Sequence, residues 1–498
     1  MAKAKQVKKS DSKKDGGTNH WLILILVALA QLMVVLDVSI VNVALPAIQH
    51  QFNMTATNLQ WIVTAYTLAF GGFLLLGGRA ADLYGRRRVF LIGTVLFTLA
   101  SLLNGVAHTG ELLIFGRGLQ GLAAAFMSPA ALSIVLVTYK EGHERNVALS
   151  VWGAVAAGGA AVGVLLGGIL TQYLSWRWNF FVNIPVGIFV VVAALKLLPK
   201  HESEAEHTSL DLPGAIFVTS GLMLLVYALV KAPTLGWTST TSLISFGLSI
   251  ALIAAFLINE ARAKYPLMPL SIFRIANVRG ANLLQLFMTA GMFSIFFFTT
   301  LYLQEVLGYT PVKTGLSFLV IPIVIGIVAT NVPKVIQKIG YKPILIVAPL
   351  FVSAGLYMLS RIPVNGTFWG DVAPGMIVMA IGMGATFVSV TIAATSGVPK
   401  DEAGLASGIL NTSQQVGGAV GLAILTGIAT SSAARYITNL NLQAVPTHDI
   451  VMAATVHGFQ KGYLIASTFG LFASVIAIFM IKQPKGEKIS VDPSAMAG

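Results

Sequence analysis

Fourteen apolar stretches, each long enough to cross a lipid bilayer, follow one another along the 498-residue chain. A membrane-spanning helix needs about 20 mostly apolar residues. Here 56% of the residues are apolar and 10% are charged, whereas soluble proteins average about 25% charged residues. The pattern therefore predicts an all-α polytopic membrane protein and excludes a soluble enzyme, a nucleic-acid-binding domain and a disordered chain. The stretches, numbered spans 1 to 14, lie at Trp21–Leu45, Leu59–Gly77, Val89–Ala107, Glu111–Val137, Ala148–Leu174, Trp178–Leu198, Leu212–Val230, Thr241–Ile258, Gly280–Leu303, Thr314–Val332, Pro343–Ser360, Val372–Ser396, Gly404–Thr430 and His457–Ile481.

The lysines and arginines divide unequally between the two sides of this membrane protein. If the N-terminus is cytoplasmic, the tails and inner loops hold 25 basic residues, the outer loops hold six, and Arg117 lies within a span. Because cytoplasmic loops are enriched in Lys and Arg, the distribution predicts a multi-pass protein of the cytoplasmic membrane with both termini inside. The same rule explains the net charge of +13 without a nucleic-acid partner.

Two inner loops share a weak internal repeat. Placing Gly340 on Gly85 aligns basic and polar residues of 333–342 with those of 77–88. Two six-span halves related by repetition are typical of secondary transporters. We therefore expect a basic tail at 1–20, an N-terminal six-helix half at 21–198, a linker with two extra membrane helices at 199–279, a C-terminal six-helix half at 280–481 and a tail at 482–498.

Six short motifs lie in order along these spans. They are Leu36-Asp37 to Pro46 on span 1; Gly78-x-x-x-Asp82-x-x-Gly85-Arg86-Arg87 after span 2; Arg117-Gly-Leu-Gln120-Gly121 on span 4; the run Gly153 to Gly168 on span 5; Trp176-Arg177-Trp178 with Asn183 and Pro185; and Gly404-x-x-x-Gly408-x-x-Asn411 on span 13, continuing to Gly417-Gly418. Together they resemble the motifs of the major facilitator superfamily, in particular its fourteen-span drug:proton antiporter branch (the QacA/EmrB type). The resemblance covers nearly the whole chain and implies a major-facilitator fold with two six-helix halves plus two inserted helices.

Two positions depart from the family pattern. Val164 stands where the span 5 motif has proline, and Leu83 stands where the inner-loop motif often has arginine. Since the span 5 motif is the one associated with exporters, Val164 keeps open the alternative of an importer.

Asp37 is the one acidic residue well inside a span, and the other eighteen lie in loops, tails or span ends. An ionisable residue within a membrane is costly and marks a functional pathway. Arg117 enters span 4 at a similar depth, about 9–12 Å from the outer boundary at a rise of about 1.5 Å per residue, so the two side chains can form an ion pair. Such a pair either fixes helix packing or exchanges protons, because burial and a neighbouring arginine shift a carboxyl group in opposite directions. The resemblance assigns proton coupling to Asp37 and Arg117.

The inner-loop motif and the span 5 glycines have structural and mechanistic interpretations. The arginines favour a cytoplasmic anchor, whereas a carboxylate among them is not explained by an anchor and could instead face a helix N-terminus. The resemblance implies a gate that latches the two halves, formed by Gly78, Asp82, Gly85, Arg86 and Arg87. In this loop we expect Gly78 and Gly85 to permit close backbone approach and a tight turn. Gly159, Gly163 and Gly167 recur every four residues, a spacing that allows close helix packing.

The substrate surface is predicted from aromatic and polar residues. Span 9 is rich in phenylalanine between Phe287 and Phe298, and not all of these side chains can face a cavity. The residues that we assign to substrate binding are Asn42, Gln120, Gln285, Phe293, Phe297, Asn411 and Gln415.

No motif indicates a cofactor, a metal site or an enzyme. The sequence has no G-x-x-x-x-G-K-[ST] loop for nucleotide phosphates, no cysteine, and no histidines at metal-ligand spacing. We expect an ion gradient to supply energy, and protons, a small-molecule substrate and membrane lipids to be the partners of a monomer. The leading hypothesis is a proton-coupled exporter of lipophilic, neutral or monocationic compounds. The alternatives are a dedicated exporter of one native compound such as an antibiotic, siderophore or lipid, a proton symporter, and a non-transporting receptor.

Overall fold

The computed structural model of the protein describes residues 20–139, 142–199, 210–399, 402–441 and 445–483. Within these ranges the chain forms no strand, and fourteen helices are long and apolar enough to cross a membrane, one for each predicted span. We number them α1 (His20–Phe52), α2 (Ala56–Tyr84), α3 (Arg86–Gly105), α4 (Gly110–Thr138), α5 (His143–Tyr173), α6 (Trp178–Leu197), α7 (Leu212–Ala232), α8 (Thr240–Arg262), α9 (Ala276–Val306), α10 (Pro311–Ile339), α11 (Tyr341–Leu359), α12 (Phe368–Thr395), α13 (Ala403–Asn439) and α14 (His448–Met480). The predicted all-α polytopic fold is therefore confirmed.

Several helices extend beyond the predicted spans, and two of these extensions bear on buried acidic residues. Helix α1 continues beyond Leu45 to Phe52, so Asp37 lies near its middle, about 22 Å of helical rise from Phe52. Helix α8 continues beyond Ile258 to Arg262 and so includes Glu260. Each added segment contains polar residues, and a hydropathy window therefore ends the predicted span before that segment. Most of both predicted tails lies outside the described residues.

The helices form two bundles. We call the end of the molecule that carries His20 and Gln483 the terminal face, and the opposite end the far face. In the N-terminal half α4 packs between α2 and α3, and α5 packs along α1. In the C-terminal half α11 packs on α12 and α14, and α9 packs on α13 and α14.

The inserted hairpin α7–α8 lies outside the two bundles, as the sequence predicts. Helix α7 packs on both α2 and α13, whereas α8 packs chiefly on α7. The hairpin therefore sits over a seam between the halves and contacts one helix of each.

The two halves contact each other chiefly through α5 with α10, α2 with α13, and α1 with α9. In the last pair Gln304 donates from Nε2 to the Val43 carbonyl oxygen at 2.9 Å, and His50 Nε2 lies 2.8 Å from Glu305 Oε1. Both contacts lie toward the far face, where α1 and α9 end.

The weak sequence repeat corresponds to a shared backbone conformation. Gly85, between α2 and α3, has φ +90°, and Gly340, between α10 and α11, has φ +81°. A positive φ strains residues with a side chain, so glycine is favoured at both turns. The two aligned glycines thus share a backbone conformation, and the repeat itself stays a prediction.

Candidate functional site

Asp37 is fully buried in α1 and receives hydrogen bonds from two other helices. Arg117 on α4 donates from Nη1 to Oδ2 and forms an ion pair with the carboxylate. Gln120 donates from Nε2 to Oδ1 at 2.7 Å, and Asn183 on α6 donates to the same oxygen at 3.3 Å. The ion pair that the sequence allows is therefore present, and every donor around it suits an ionised carboxylate.

Arg117 is also held by groups other than Asp37. Its Nε donates to the Ile62 carbonyl oxygen at 3.0 Å. Its guanidinium carbon lies 4.3 Å from the ring centre of Tyr66 and 5.8 Å from that of Phe180, within the range of cation–π contacts. The arginine would thus keep its place if the carboxylate lost its charge.

Gln120 links the ion pair to α3. Its Oε1 accepts from Asn104 Nδ2 at 2.7 Å and from Arg117 at 2.8 Å, and its Nε2 also donates to Ser101 Oγ at 2.9 Å. With its amide engaged and its side chain fully enclosed, Gln120 belongs to the network around Asp37. Its assignment to substrate binding stays a prediction.

The predicted span 5 glycines face α1 on both sides of the buried acid. A methyl group added at Gly163 would lie 2.7 Å from Ser39 Cβ, and one at Gly167 would lie 2.6 Å from the Ile40 carbonyl oxygen. Gly159 faces α1 one turn earlier. Since real Cβ atoms do not approach so closely, the glycines allow α5 to pack directly on the helix that carries Asp37.

The other side of α5 reaches the C-terminal half. Gly168 lies against the Pro311 carbonyl group of α10, and Gly315 of α10 lies against the Val164 carbonyl group. Gln172 accepts a hydrogen bond from the backbone nitrogen of Val312 at 3.1 Å. Helix α5 therefore contacts the acid-bearing helix and the opposite half of the molecule at the same time.

The inner-loop motif forms the turn from α2 to α3. Asp82 lies 3.9 Å from Arg86, and Arg87 donates to the Leu195 carbonyl oxygen near the end of α6 at 2.8 Å. The positive φ of Gly85 fixes the turn between these residues. The motif thus joins α2, α3 and α6 at the terminal face.

The glycine that lets α2 approach α4 closely at this motif is not the one that we predicted. A methyl group at Gly78 would make an ordinary contact of 3.8 Å with Pro129, whereas one at Gly77 would collide with the backbone of Ala125 in α4. The prediction of close packing at Gly78 was therefore wrong by one residue, because successive helix positions point in different directions.

Three predicted substrate residues lie between α9, α13 and α2. Gln415 lies over Gly71 at the seam between the halves, and Phe293 lies against Gly418. Gln285 is buried, and its Oε1 has no hydrogen-bond partner among the described residues.

The remaining three do not share one surface. Asn42 is buried and donates to the Val38 carbonyl oxygen of its own helix at 2.9 Å. Phe297 is enclosed in the C-terminal half, where its ring centre lies 5.8 Å from that of Phe298. Asn411 is partly exposed on α13, one turn before Gln415. A binding role for them stays a prediction.

The family model of the Major Facilitator Superfamily matches residues 27–422 of this chain. The chain belongs to this superfamily. It is 38% identical over 472 residues to the puromycin resistance protein pur8 of Streptomyces alboniger, a match that covers 93% of this chain and 91% of that protein. It is 37% identical over 414 residues to the cephamycin export protein CmcT of Amycolatopsis lactamdurans, covering 82% and 85%.

The fold is also that of the superfamily. A bacterial homologue of the human lysosomal transporter Spinster, in an inward-facing and occupied conformation, superposes with a TM-score of 0.64 at 15% identity, covering 93% of this chain and 97% of that chain. The chain therefore has a major-facilitator fold, and α7–α8 are the two inserted helices.

Several residues around Asp37 were not predicted from the sequence. Tyr66, Ser101, Asn104 and Phe180 carry no role in the predicted site, and Asn183 was noted only as part of a motif. A signal was available for two of them, since Ser101 and Asn104 are polar residues three positions apart in an otherwise apolar span. The aromatic rings could not be told from ordinary lipid-facing or core residues.

Proposed function

We propose that the chain is a proton-coupled exporter of lipophilic small molecules, neutral or carrying one positive charge, and that Asp37 binds the coupling proton. The observation that carries the proposal is the enclosure of a lone carboxylate by Arg117, Gln120 and Asn183. Intramembrane ionisable groups of this kind mark ion pathways. The relatives named for puromycin resistance and cephamycin export support export as the direction.

The proton step changes the hydrogen bonds of Asp37. An ionised carboxylate accepts from all of its neighbours, whereas a protonated one has an O–H that must itself find an acceptor. Because Arg117 is also anchored by Ile62 and Tyr66, protonation weakens the hold on Asp37 and leaves the arginine in place. The group that moves is then α1.

Movement of α1 passes to the other half through α5. The glycines of α5 fix it against α1 on both sides of Asp37, and its opposite side contacts Pro311 and Gly315 of α10. A shift of α1 therefore disturbs a contact between the halves, as alternating access requires. This route connects the proton site with the opening of the transport path.

The terminal face is proposed to be cytoplasmic. It carries the Arg86–Arg88 run, Lys334 and Lys338 near the end of α10 and Lys342 at the start of α11, and the positive-inside rule places such clusters in the cytoplasm. The protein would then be a multi-pass protein of the cytoplasmic membrane with both termini inside. The gate formed by Asp82, Gly85, Arg86 and Arg87 would lie on the cytoplasmic side.

The test is substrate-driven proton movement in proteoliposomes. We expect Asp37→Asn to abolish proton movement in response to a lipophilic monocation under an imposed pH gradient, while the control variant Glu111→Gln, at an exposed acid of α4, retains it. Monodisperse elution of both variants would show that they fold. Proton movement by folded Asp37→Asn at the unsubstituted rate would refute the assignment.

A dedicated exporter of one native antibiotic is the second candidate. It is favoured by the similarity to the cephamycin export protein over 85% of that protein's length. A panel of neutral, cationic and anionic compounds in the same proteoliposomes separates the candidates, because a multidrug exporter transports several unrelated members and a dedicated exporter transports one.

A further inference from the structure

The inserted hairpin has two buried acidic residues at its terminal-face end. Asp211 caps the start of α7, and Glu260 lies in the last turn of α8. Their exposed fractions are 8% and 3%. They lie on the part of the fold for which neither the sequence nor the proposed transport mechanism supplies a role.

The two carboxyl groups lie close together. Asp211 accepts from the Gly214 backbone nitrogen at 2.9 Å, and Asn259 Nδ2 donates to both of its oxygens at 2.8 and 2.7 Å. A methyl group at Gly214 would lie 2.6 Å from Asp211 Oδ2 and 2.9 Å from Glu260 Oε1, so these two oxygens border the same small space.

One oxygen of Glu260 has no donor among the residues that the structure describes. Its Oε2 accepts from the Met268 backbone nitrogen at 2.9 Å, but no N–H or O–H of the described residues reaches the buried Oε1. A buried acceptor without a donor is costly, and a hydrogen bond between two carboxyl groups requires a proton on one of them. The geometry therefore calls for one proton between Asp211 and Glu260.

The described basic groups near the pair do not form a salt bridge that could replace the proton. Among the described residues no salt bridge joins Asp211 or Glu260 to a basic side chain. On α2, the guanidinium carbon of Arg79 lies 5.9 Å from the ring centre of Tyr265, and the ammonium of Lys264 lies 5.4 Å from the same ring. Arg262, on the final turn of α8, is exposed to solvent.

The other surroundings of the hairpin end are apolar. Leu76 of α2, Ala215 of α7 and Leu267 form a buried cluster there, with Phe126 of α4 packed against it. Water is excluded from this cluster, so two neighbouring charges beside it would be poorly solvated.

We propose that Asp211 and Glu260 form a second proton-binding site, which shares one proton between two carboxyl groups and holds the connection from α8 to α9 against the hairpin. The connection follows Arg262, is bound by Glu260 at the Met268 amide, and continues into a 3₁₀ turn, Leu270–Arg274. Ile272 of this turn packs with Leu75 of α2 and Ile409 of α13 at the seam between the halves.

Loss of this proton leaves a negative charge on each carboxyl group. The two carboxylates then repel each other and move apart. Met268 then loses its acceptor, and the 3₁₀ turn loosens at the seam. The site responds to pH on the terminal face and does not depend on Asp37 as the transport proton site.

The test is infrared spectroscopy of the purified full-length protein in an Asp37→Asn background, which removes the signal of the transport site. We expect a C=O band from a protonated carboxyl group at neutral pH that disappears on alkalinisation, and we expect Glu260→Gln to abolish it. Glu111→Gln is the matched control, because it removes an exposed acid and leaves the band. If Glu260→Gln does not elute as a monodisperse protein, Asp211→Asn is measured and must abolish the band as well.

A second measurement tests the conformational consequence. The chain has no cysteine, so spin labels can be attached at Ser271→Cys and Arg88→Cys, both exposed positions. The distance distribution between them should broaden from mildly acidic to alkaline pH, and Glu260→Gln should keep it narrow at every pH. A neutral-pH band that survives both substitutions, or no such band, would overturn the proton site; a distribution that does not respond to pH would overturn its control of the connection.

Discussion

Gln415 of α13 lies over Gly71 of α2, so close that a methyl group added at Gly71 would stand 2.6 Å from the Gln415 Cβ. Thr412 reinforces the contact by donating from its hydroxyl to the Gly71 carbonyl oxygen at 3.3 Å. The two halves of the transporter therefore touch directly at this glycine, with no space for any larger residue. The contact explains why a predicted substrate residue also lies on the surface where the halves meet.

Gly71→Ala should lower the transport rate severalfold. The added methyl group must push α2 and α13 apart, and overpacking of this kind costs about 1–3 kcal/mol. Transport of a fluorescent lipophilic cation in proteoliposomes measures the effect. Gly247→Ala is the matched control, since that glycine of α8 has no atom within 4 Å of an added methyl group. A rate for Gly71→Ala equal to that of Gly247→Ala would contradict the steric explanation.

Arg117 and Asp37 should show strong energetic coupling. Residues that share one ion pair are not additive, with interaction energies of about 0.5–3 kcal/mol. The double-mutant cycle of Asp37→Asn and Arg117→Gln, measured on substrate binding at several pH values, should therefore depart from additivity. The departure should shrink at the acidic end, where Asp37 is protonated in the parent protein. Additive effects at every pH would mean that the pair is a packing contact without a role in coupling.

The sequence predicts the membrane fold because bilayer hydropathy is a long-range signal that survives errors at single residues. It also locates Asp37 and Arg117, since each is a charged residue within an apolar span. It does not locate the groups that hold them. The Ile62 carbonyl oxygen has no sequence signature, and Tyr66 looks like any aromatic residue of a membrane helix until the fold places it beneath the guanidinium.

The site at Glu260 escaped prediction for a different physical reason. A hydropathy window ends span 8 at Ile258, which makes Glu260 a loop residue and hides its burial. The pairing with Asp211 joins residues 49 positions apart in the chain, and only the antiparallel packing of α7 and α8 brings them together. The error of one position at Gly78 has the same origin, because spacing along a helix does not say which of two adjacent glycines faces the neighbouring backbone.

Asp82→Ala should reduce transport more than Arg88→Ala. Asp82 lies beside Arg86 in the turn that Gly85 fixes, so its removal disturbs the arrangement of the gate. Arg88 is exposed, and its removal takes away only one charge of the cytoplasmic anchor. Transport rates normalised to the amount of inserted protein separate the two effects. Equal losses in both variants would favour an anchor that sets topology and has no gating role.

The positions of the other acidic side chains bear on which substrates the transporter accepts. Glu305 is engaged with His50 at the far face. Asp371 is also at that face, where it accepts from the Thr367 backbone nitrogen at 2.7 Å. Of the acidic residues that the structure describes, Asp37 alone is buried within the two six-helix bundles.

A divalent organic cation should be transported poorly beside a monovalent or neutral compound of similar size. Each positive charge that enters a poorly hydrated cavity needs a compensating negative group or incurs a large desolvation cost. Asp37 is the one candidate partner within the bundles, and Arg117 already neutralises part of its charge. At least one charge of a divalent compound would therefore stay unpaired. Efflux of a monovalent and a divalent quaternary ammonium compound from the same cells measures the difference, with Asp37→Asn cells giving the background for both. Equal efflux of the two compounds would reveal a second negative site. Glu305→Gln would then be the first variant to compare, because it removes the carboxylate that could leave His50 and pair with a substrate.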